Sequence, residues 1–203
     1  MSEITVTPAY KTLPEAGFLN YLAMQEMTHP IVGTNSSQTI EARLYHLWRQ
    51  RNNRFSYDYS WCAKIDGHVA GIVTALPVQE LERIEKHTVW QLIKMRGFDL
   101  IHHLYHYFSQ IRALLALKEG YQDEYHISLL AIMPEYHRQG VATHLLAHVE
   151  QFAKHLGYRK LSLTVKKDND NAIRAYQKSG FMIVNEIDEA PYHLYRMMKT
   201  LEL

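Results

Sequence analysis

The sequence lacks several features that would mark other classes of protein. It has a single cysteine, Cys62, which excludes an internal disulfide and fits a reducing cytoplasm. Cys62 lies in a strand-like run, so we expect its thiol to be buried and unreactive. No apolar run approaches the roughly 20 residues that cross a bilayer, and the first ten residues alternate like a strand, unlike a signal peptide. A formal net charge of +1 gives no support for nucleic acid as the main partner. We therefore expect a cytoplasmic protein with no membrane or nucleic-acid partner.

Internal repeats and low-complexity linkers are also missing, so no feature of the sequence divides the chain. A hydrophobic content of 47% and a charged content of 21% over 203 residues are ordinary for a globular chain that buries its own core. We therefore expect residues 1–203 to form one domain.

The chain is organised around a strand, a turn and a helix near its centre. Residues 125–133 are short, apolar and closed by Pro134, which predicts a buried strand. Small residues and a cation follow at 138–143, and apolar residues then recur at helical spacing as far as Gly157. These apolar positions are Ala142, Leu145, Leu146, Val149, Phe152, Ala153 and Leu156.

A helix that starts inside such a turn makes an anion site. Its first amides have no partner within the helix, and the helix dipole adds positive charge there. Gly140 and Ala142 let a phosphate approach the backbone, and Arg138 can add a charge-assisted hydrogen bond. The alternative is an ordinary turn that Gly140 merely permits. The motifs of nucleotide P-loops and of dinucleotide-binding folds are both missing.

The stretch ISLLAIMPEYHRQGVATHLL resembles the coenzyme A-binding motif of the GNAT N-acetyltransferase superfamily, Arg/Gln-x-x-Gly-x-Gly/Ala. Gly140 and Ala142 match it, whereas His137 stands where the family usually has arginine or glutamine. About thirty residues later, VKKDNDNAIRAYQKSGF resembles the second family signature. The matching residues there are Asn169, Ala172, Tyr176, Gly180 and Phe181.

The resemblance, which is firm over residues 125–200, implies an α/β (α+β) fold with a mixed, mostly antiparallel central sheet flanked by helices. It also implies acetyl-coenzyme A as co-substrate, with the pantetheine in a gap where the fourth strand splays from the fifth. The residues it implies for coenzyme A binding are Leu130, Ala131, Ile132, His137, Arg138, Gln139, Gly140, Val141, Ala142, Thr143, Asn169, Ala172 and Tyr176.

Periodicity and turn residues predict the other elements. The Asp66-Gly67 pair between two apolar runs predicts a β-hairpin. Asn169 is expected to cap a helix that ends at Ser179-Gly180. The predicted strands are 4–7, 59–65, 68–76, 160–166, 181–184 and 192–198, and the predicted early helices are 13–27 and 39–51.

Residues 78–122 are more than the minimal fold needs. Apolar residues at helical spacing predict two helices with a break at Arg96-Gly97, inserted between the third and fourth strands. We expect this insertion to overhang the acceptor site, and a dimerisation or purely structural hairpin is the alternative. His102 and His106 lie one turn apart, but no acidic partner completes a motif, so we expect no metal.

Acetyl transfer from a thioester to an amine needs a proton donor for the thiolate and a way to free the amine. Tyr176 is the candidate acid, because a phenol is protonated at neutral pH. His126 is the candidate base, at the place where the histone-acetylating branch of the family has a glutamate. The alternatives are a packing tyrosine and a hydrogen-bonded strand histidine.

Three functions stay open. The first is acetylation of the primary amine of a small molecule by direct attack in a ternary complex. The second is acetylation of a protein lysine or N-terminus, and the third is a non-catalytic acyl-coenzyme A-binding regulatory module. Tyr176 with Asn169 argues against the third, and the insertion favours the first. A homodimer is also left open.

Overall fold

The structure is a computed structural model that describes residues 3–33, 36–97 and 99–202. Its strands are β1 Ile4–Pro8, β2 Ser60–Ile65, β3 His68–Pro77, β4 Tyr125–Ile132, β5 Lys160–Lys166, β6 Met182–Glu189 and β7 Tyr192–Thr200. Its α-helices are α1 Ala16–Met24, α2 Thr28–Val32, α3 Ser37–Trp48, α4 Val78–Arg96, α5 Asp99–Ala116, α6 Val141–His155 and α7 Asp170–Lys178.

The strands form one mixed sheet in the order β1-β2-β3-β4-β5-β7-β6. The central pair, β4 with β5, is parallel, and the other neighbouring pairs of these strands are antiparallel. Helix α6 packs on one face of the sheet, and α1 and α3 pack on the other. The predicted fold class is therefore confirmed, including two helices between the third and fourth strands.

The central helix buries most of the stripe that its sequence predicts. Val141, Leu145, Leu146, Val149 and Ala153 of α6 are buried against the sheet. Two predicted positions, Phe152 and Leu156, are exposed instead. Phe152 stays partly exposed beside Trp61, with ring centroids 4.8 Å apart, and Leu156 is exposed where the helix ends.

Several predicted boundaries differ from the structure, two of them most clearly. The first helix stops at Met24, because Gln25 has a positive φ of 48°, and a 3₁₀ turn and α2 follow. Strand β6 continues beyond residue 184 to Glu189, through polar residues at the sheet edge of which only Ile187 is buried. An edge strand has little apolar pattern, so the sequence signal ends before the strand does.

The inserted helices break where the sequence predicts. Gly97 ends α4 with a positive φ of 56°, which glycine adopts without strain. Helix α5 has a non-helical residue at Tyr107. The side chains of His102 and His106 lie outside the described residues.

Candidate active site

The parallel strands β4 and β5 part in the middle of the sheet. Their pairing ends at Ile127 with Leu163, although both strands continue for several residues. A cavity of about 440 Å³ lies in this gap, lined by Ser128, Leu129 and Leu130 of β4 and by residues 163–166 of β5. The gap expected for the pantetheine is therefore present.

A β-bulge in β4 lies beside the gap. Thr74 of β3 pairs with Leu129 and Ala75 pairs with Ile127, so Ser128 is an extra residue in β4. A bulge bends its strand and changes the face to which the following side chains point. Ile127 accordingly packs on the α6 side, whereas Leu129 packs with α3. The bulge occurs where pairing with β5 ends, so it helps to direct β4 away from β5.

The predicted anion turn has the geometry of a helix N-terminus. Gly140 is the N-cap residue of α6 and has a φ of 84°. No side chain in the described part of the chain makes a capping hydrogen bond to the first amides of this helix. The first helical hydrogen bond runs from the His144 amide to the Gly140 carbonyl, 3.1 Å apart. The amides of Val141, Ala142 and Thr143 therefore have no partner within the helix.

The three residues before Gly140 are exposed. His137 Nε2 lies 3.2 Å from the carbonyl oxygen of Ile132, and Gln139 Nε2 donates to the carbonyl oxygen of Glu135 at 2.9 Å. Arg138 has a positive φ of 62°. Two of these side chains thus brace the turn against the end of β4 and the loop after it.

The second sequence signature borders the same cavity as the gap. Asn169, Ala172 and Tyr176 line it, although they lie about forty residues after β4. Asn169 Oδ1 accepts a hydrogen bond from the Ala172 amide at 3.1 Å, which confirms the predicted cap of α7. Tyr176 packs against Phe181, and burial raises the pKa of its phenol to about 12.

His126 lies beneath the cavity wall and has no exposed surface. Its Nδ1 is 3.0 Å from Ser162 Oγ on β5, and its Nε2 is 3.3 Å from Glu119 Oε2. Glu119, and not His126, is among the residues that line the cavity. The histidine therefore faces the cavity only through the glutamate.

Arg54 and Glu119 are cavity residues that the sequence analysis did not select. Arg54 Nη2 lies 3.0 Å from both Glu119 carboxylate oxygens and 3.1 Å from Ser128 Oγ. Burial alone would raise the pKa of Glu119, but Arg54 and His126 outweigh it and lower the pKa to about 2. Both residues lie in segments without a motif, so no local signal identifies them.

The insertion forms the opposite wall of the cavity. Glu85, on α4, lines it, and burial raises the pKa of this carboxyl. Helix α4 is fixed to the loop that carries Arg54, because Thr88 Oγ1 accepts from the Arg54 amide at 3.1 Å. The apolar wall residues of the insertion are Val89, Leu92, Ile93, Ile111, Leu114 and Leu117.

Comparison with known proteins identifies the family. The family model for the acetyltransferase (GNAT) family matches residues 23–181. The chain belongs to the GNAT family. Acyl transfer from acyl-coenzyme A is the chemistry of this family, and acetyl-coenzyme A is its usual co-substrate. No match was found among curated protein sequences.

Solved structures share the GNAT fold over nearly the whole chain. An acetyltransferase crystal structure has a TM-score of 0.71 at 22% identity, covering 98% of this chain and 100% of its own. An N-acetyltransferase from Staphylococcus aureus Mu50 has a TM-score of 0.73 at 18% identity, covering 96% and 99%. The NatC complex bound to Gag peptide and CoA gives 0.53 at 11% identity, covering 98% and 99%. At these identities the likeness concerns the fold.

This GNAT chain has a site that fits coenzyme A on its own geometry. The uncapped amides of α6 suit a pyrophosphate, and the gap between β4 and β5 suits an extended chain with amide groups of its own. Among the described residues, no cluster of three or more metal-ligating side chains is present. Within the same part of the chain, no helix is both long and apolar enough to cross a membrane.

Proposed function

We propose that this GNAT protein acetylates the primary amine of a small molecule, using acetyl-coenzyme A, by direct attack in a ternary complex. One observation carries the proposal. A single cavity is bordered by the β4–β5 gap, by Tyr176 and by the inserted helices. The donor thioester and an acceptor amine can therefore meet next to a proton donor, without a covalent acyl-enzyme.

Coenzyme A would be held at two places. The amides of Val141, Ala142 and Thr143 would bind the pyrophosphate, with Arg138 adding charge from the turn. Backbone groups of Leu130, Ala131 and Ile132 that face the gap would bind the pantetheine, and Asn169 and Ala172 close the site from α7. Bound in this way, acetyl-coenzyme A supplies the acetyl group as a thioester.

Tyr176 is proposed to hold the proton for the departing thiolate. Its raised pKa, about 12, keeps the phenol protonated throughout the physiological range. In the overall reaction the thioester C–S bond breaks and the amide C–N bond forms. Of the two protons that the ammonium loses, one replaces the proton given by Tyr176 and the other goes to solvent. His126 would assist amine deprotonation by holding Glu119 at the cavity surface, because it has no exposed surface of its own.

The insertion favours a small acceptor over a protein. Its helices wall the cavity with apolar side chains, which narrows the space in front of the thioester. A protein lysine or N-terminus would need an open groove there. A non-catalytic coenzyme A-binding module is a weaker alternative, since such a module needs neither Tyr176 nor a second wall for an acceptor.

Cys62, which is buried, supports a reducing, cytoplasmic location.

The test is a turnover screen that measures release of free thiol from acetyl-coenzyme A. The purified protein is given small primary amines with apolar and polar bodies, lysine-containing peptides and peptides with free N-termini. We expect turnover with small amines, reduced by Tyr176→Phe. Turnover with peptides alone would overturn the choice of acceptor. Tight coenzyme A binding with no turnover across all acceptors would favour the non-catalytic alternative.

A further inference from the structure

Glu119 lies in the cavity wall, and neighbouring side chains hold its carboxylate in place. Its side chain is only 15% exposed, and it accepts hydrogen bonds from Arg54 Nη2 at 3.0 Å on each carboxylate oxygen. His126 Nε2 approaches Oε2 to 3.3 Å from the side of the sheet. Arg54 therefore fixes the position of the carboxylate at the cavity surface, and His126 supports it from the sheet.

The support for Glu119 continues into the sheet. His126 and Ser162 are both without exposed surface, and Ser162 Oγ lies 3.0 Å from His126 Nδ1. A serine hydroxyl can donate to Nδ1, which leaves the Nε2 proton for Glu119. The chain Ser162–His126–Glu119 thus runs from the buried strand β5 to the cavity.

The carboxylate retains capacity for a ligand. An ionised carboxylate offers about four acceptor sites; Arg54 donates to one on each oxygen, and His126 Nε2 approaches Oε2. Glu119 lines the cavity, so the remaining site is available to a donor that enters there. Its pKa of about 2 keeps it ionised at neutral pH, which suits an ammonium group.

The rest of the cavity suggests what carries that ammonium group. The walls are mainly apolar, with Leu22, Met24, Met27 and Ile31 on the side of α1 and α2 and the insertion opposite. The ionisable groups near Glu119 are Arg54, His126 and Glu85. A hydrocarbon body would bury apolar surface against these walls, whereas a polar body would lose hydrogen bonds to water.

We propose that Glu119 binds the ammonium group of the acceptor, that the acceptor is an amine on an apolar body, and that His126 is the positioning residue that fixes the Glu119 carboxylate. This proposal rests on the proposed function, because it concerns the acceptor half of the same cavity. It also explains why no local motif identifies Glu119. The end of the insertion places this residue beside β4, and Arg54, from the loop after α3, holds it there.

The first experiment measures binding without turnover. Isothermal titration calorimetry in saturating coenzyme A compares 2-phenylethylamine with 2-phenylethanol, which has the same body and no cationic group. We expect the wild type to bind the amine about 10- to 100-fold more tightly than the alcohol, and Glu119→Gln to remove that preference. The affinity for coenzyme A should not change. Equal amine preference in Glu119→Gln, or no binding of either probe to the wild type, would overturn the proposal.

The control for charge is Glu82→Gln, on the exposed face of α4 and outside the cavity lining. It removes the same charge from the same insertion, and we expect it to keep the wild-type preference. If both variants lost the preference for the amine over the alcohol, the overall negative charge of the insertion, and not contact with Glu119, would attract the amine.

The second experiment tests the positioning role by separating KM from kcat. We expect His126→Ala to raise the KM for 2-phenylethylamine about tenfold, and His126→Gln, which restores a donor towards Glu119, to recover most of the loss. Thermal unfolding identifies variants that fail to fold, and His126→Gln then carries the test. A folded His126→Ala with unchanged KM would overturn the positioning role.

The two proposals fail in different ways. Amine binding at Glu119 with no turnover of any amine would leave this inference standing and overturn the proposed function. Turnover of amines with an unchanged KM in Glu119→Gln would overturn this inference and leave the proposed function intact.

Discussion

Arg54 and Glu119 are 65 residues apart in the chain and lie with Arg54 Nη2 3.0 Å from both oxygens of the carboxylate. Their side chains are only 20% and 15% exposed. The pair joins the loop after α3 to the segment that leads from the insertion into β4. It therefore holds this wall of the cavity against the sheet, and it lowers the pKa of Glu119.

We expect this pair to contribute a pH-dependent part of the stability. A carboxyl whose pKa is lowered in the folded state, here to about 2, stabilises the fold above its ordinary pKa of 4.5. That contribution is lost as the pH falls from about 4.5 through 2. Arg54→Gln should therefore lower the free energy of unfolding by about 1–3 kcal/mol at pH 7, and by less at pH 3.

Urea unfolding at both pH values measures this difference. The control is Arg83→Gln, which breaks a surface pair with Glu80 in which the arginine is 56% exposed. We expect almost no change from the control, since exposed pairs contribute little. An Arg54→Gln effect that grows towards pH 3 would contradict the assignment.

Tyr176→Phe should lower kcat by about 10²–10⁴-fold, because it removes the proton and keeps the ring against Phe181. The affinity for coenzyme A should change little, which calorimetry can check. Burial raises the pKa of the phenol to about 12, so kcat should show no loss attributable to this group below about pH 10. Tyr192→Phe, at a buried position outside the cavity lining, is the control. Equal turnover in wild type and Tyr176→Phe would leave Tyr176 as a packing residue.

Gly140→Asp should weaken coenzyme A binding at least tenfold, about 1.4 kcal/mol, by adding negative charge where the pyrophosphate binds. A Cβ at this position would lie no closer than 3.8 Å to His144, so the fold should survive, although the positive φ of 84° adds strain. Gly67→Asp is a matched control: the hairpin glycine has a φ of 83° and open space around it. Calorimetry that finds the same loss in both variants would attribute the effect to strain and not to phosphate binding.

Leu92→Trp should change which amines are accepted without changing coenzyme A affinity, because Leu92 lines the cavity from α4. We expect kcat/KM for the bulkiest accepted amine to fall about tenfold or more relative to the smallest. Phe108→Trp, at a residue that is 67% exposed on α5 and outside the cavity lining, is the control. An unchanged acceptor profile in a folded Leu92→Trp would favour a purely structural insertion.

Point substitutions test the insertion more sharply than its removal. Replacing residues 82–119 by a Gly/Ser linker should still preserve coenzyme A binding and alter acceptor choice, if the product folds. The deletion also removes the Thr88 partner of the Arg54 amide and the Gln91 partner of Asn53. It would therefore disturb the loop that carries Arg54 as well as the cavity wall.

The sequence could predict much of the fold, because most elements have local signals. The apolar stripe of α6, the Asp66-Gly67 turn and the Asn169 cap each involve neighbours in the chain. Tyr176 was selected on a family signature, and its position at the cavity fits the role that we propose. The bulge at Ser128 has no such signal, because it depends on the register with β3.

Sequence alone determined the family, the order of the elements and the turn at Gly140, since these depend on residues close together in the chain. Only the tertiary structure decided which side chains face the cavity. It buried His126 and put Glu119 between that histidine and the cavity. The physical reason is that Arg54, Glu119, His126 and Ser162 come from four separate segments. An isolated charge in a sequence does not indicate which distant group will neutralise it once both are removed from water.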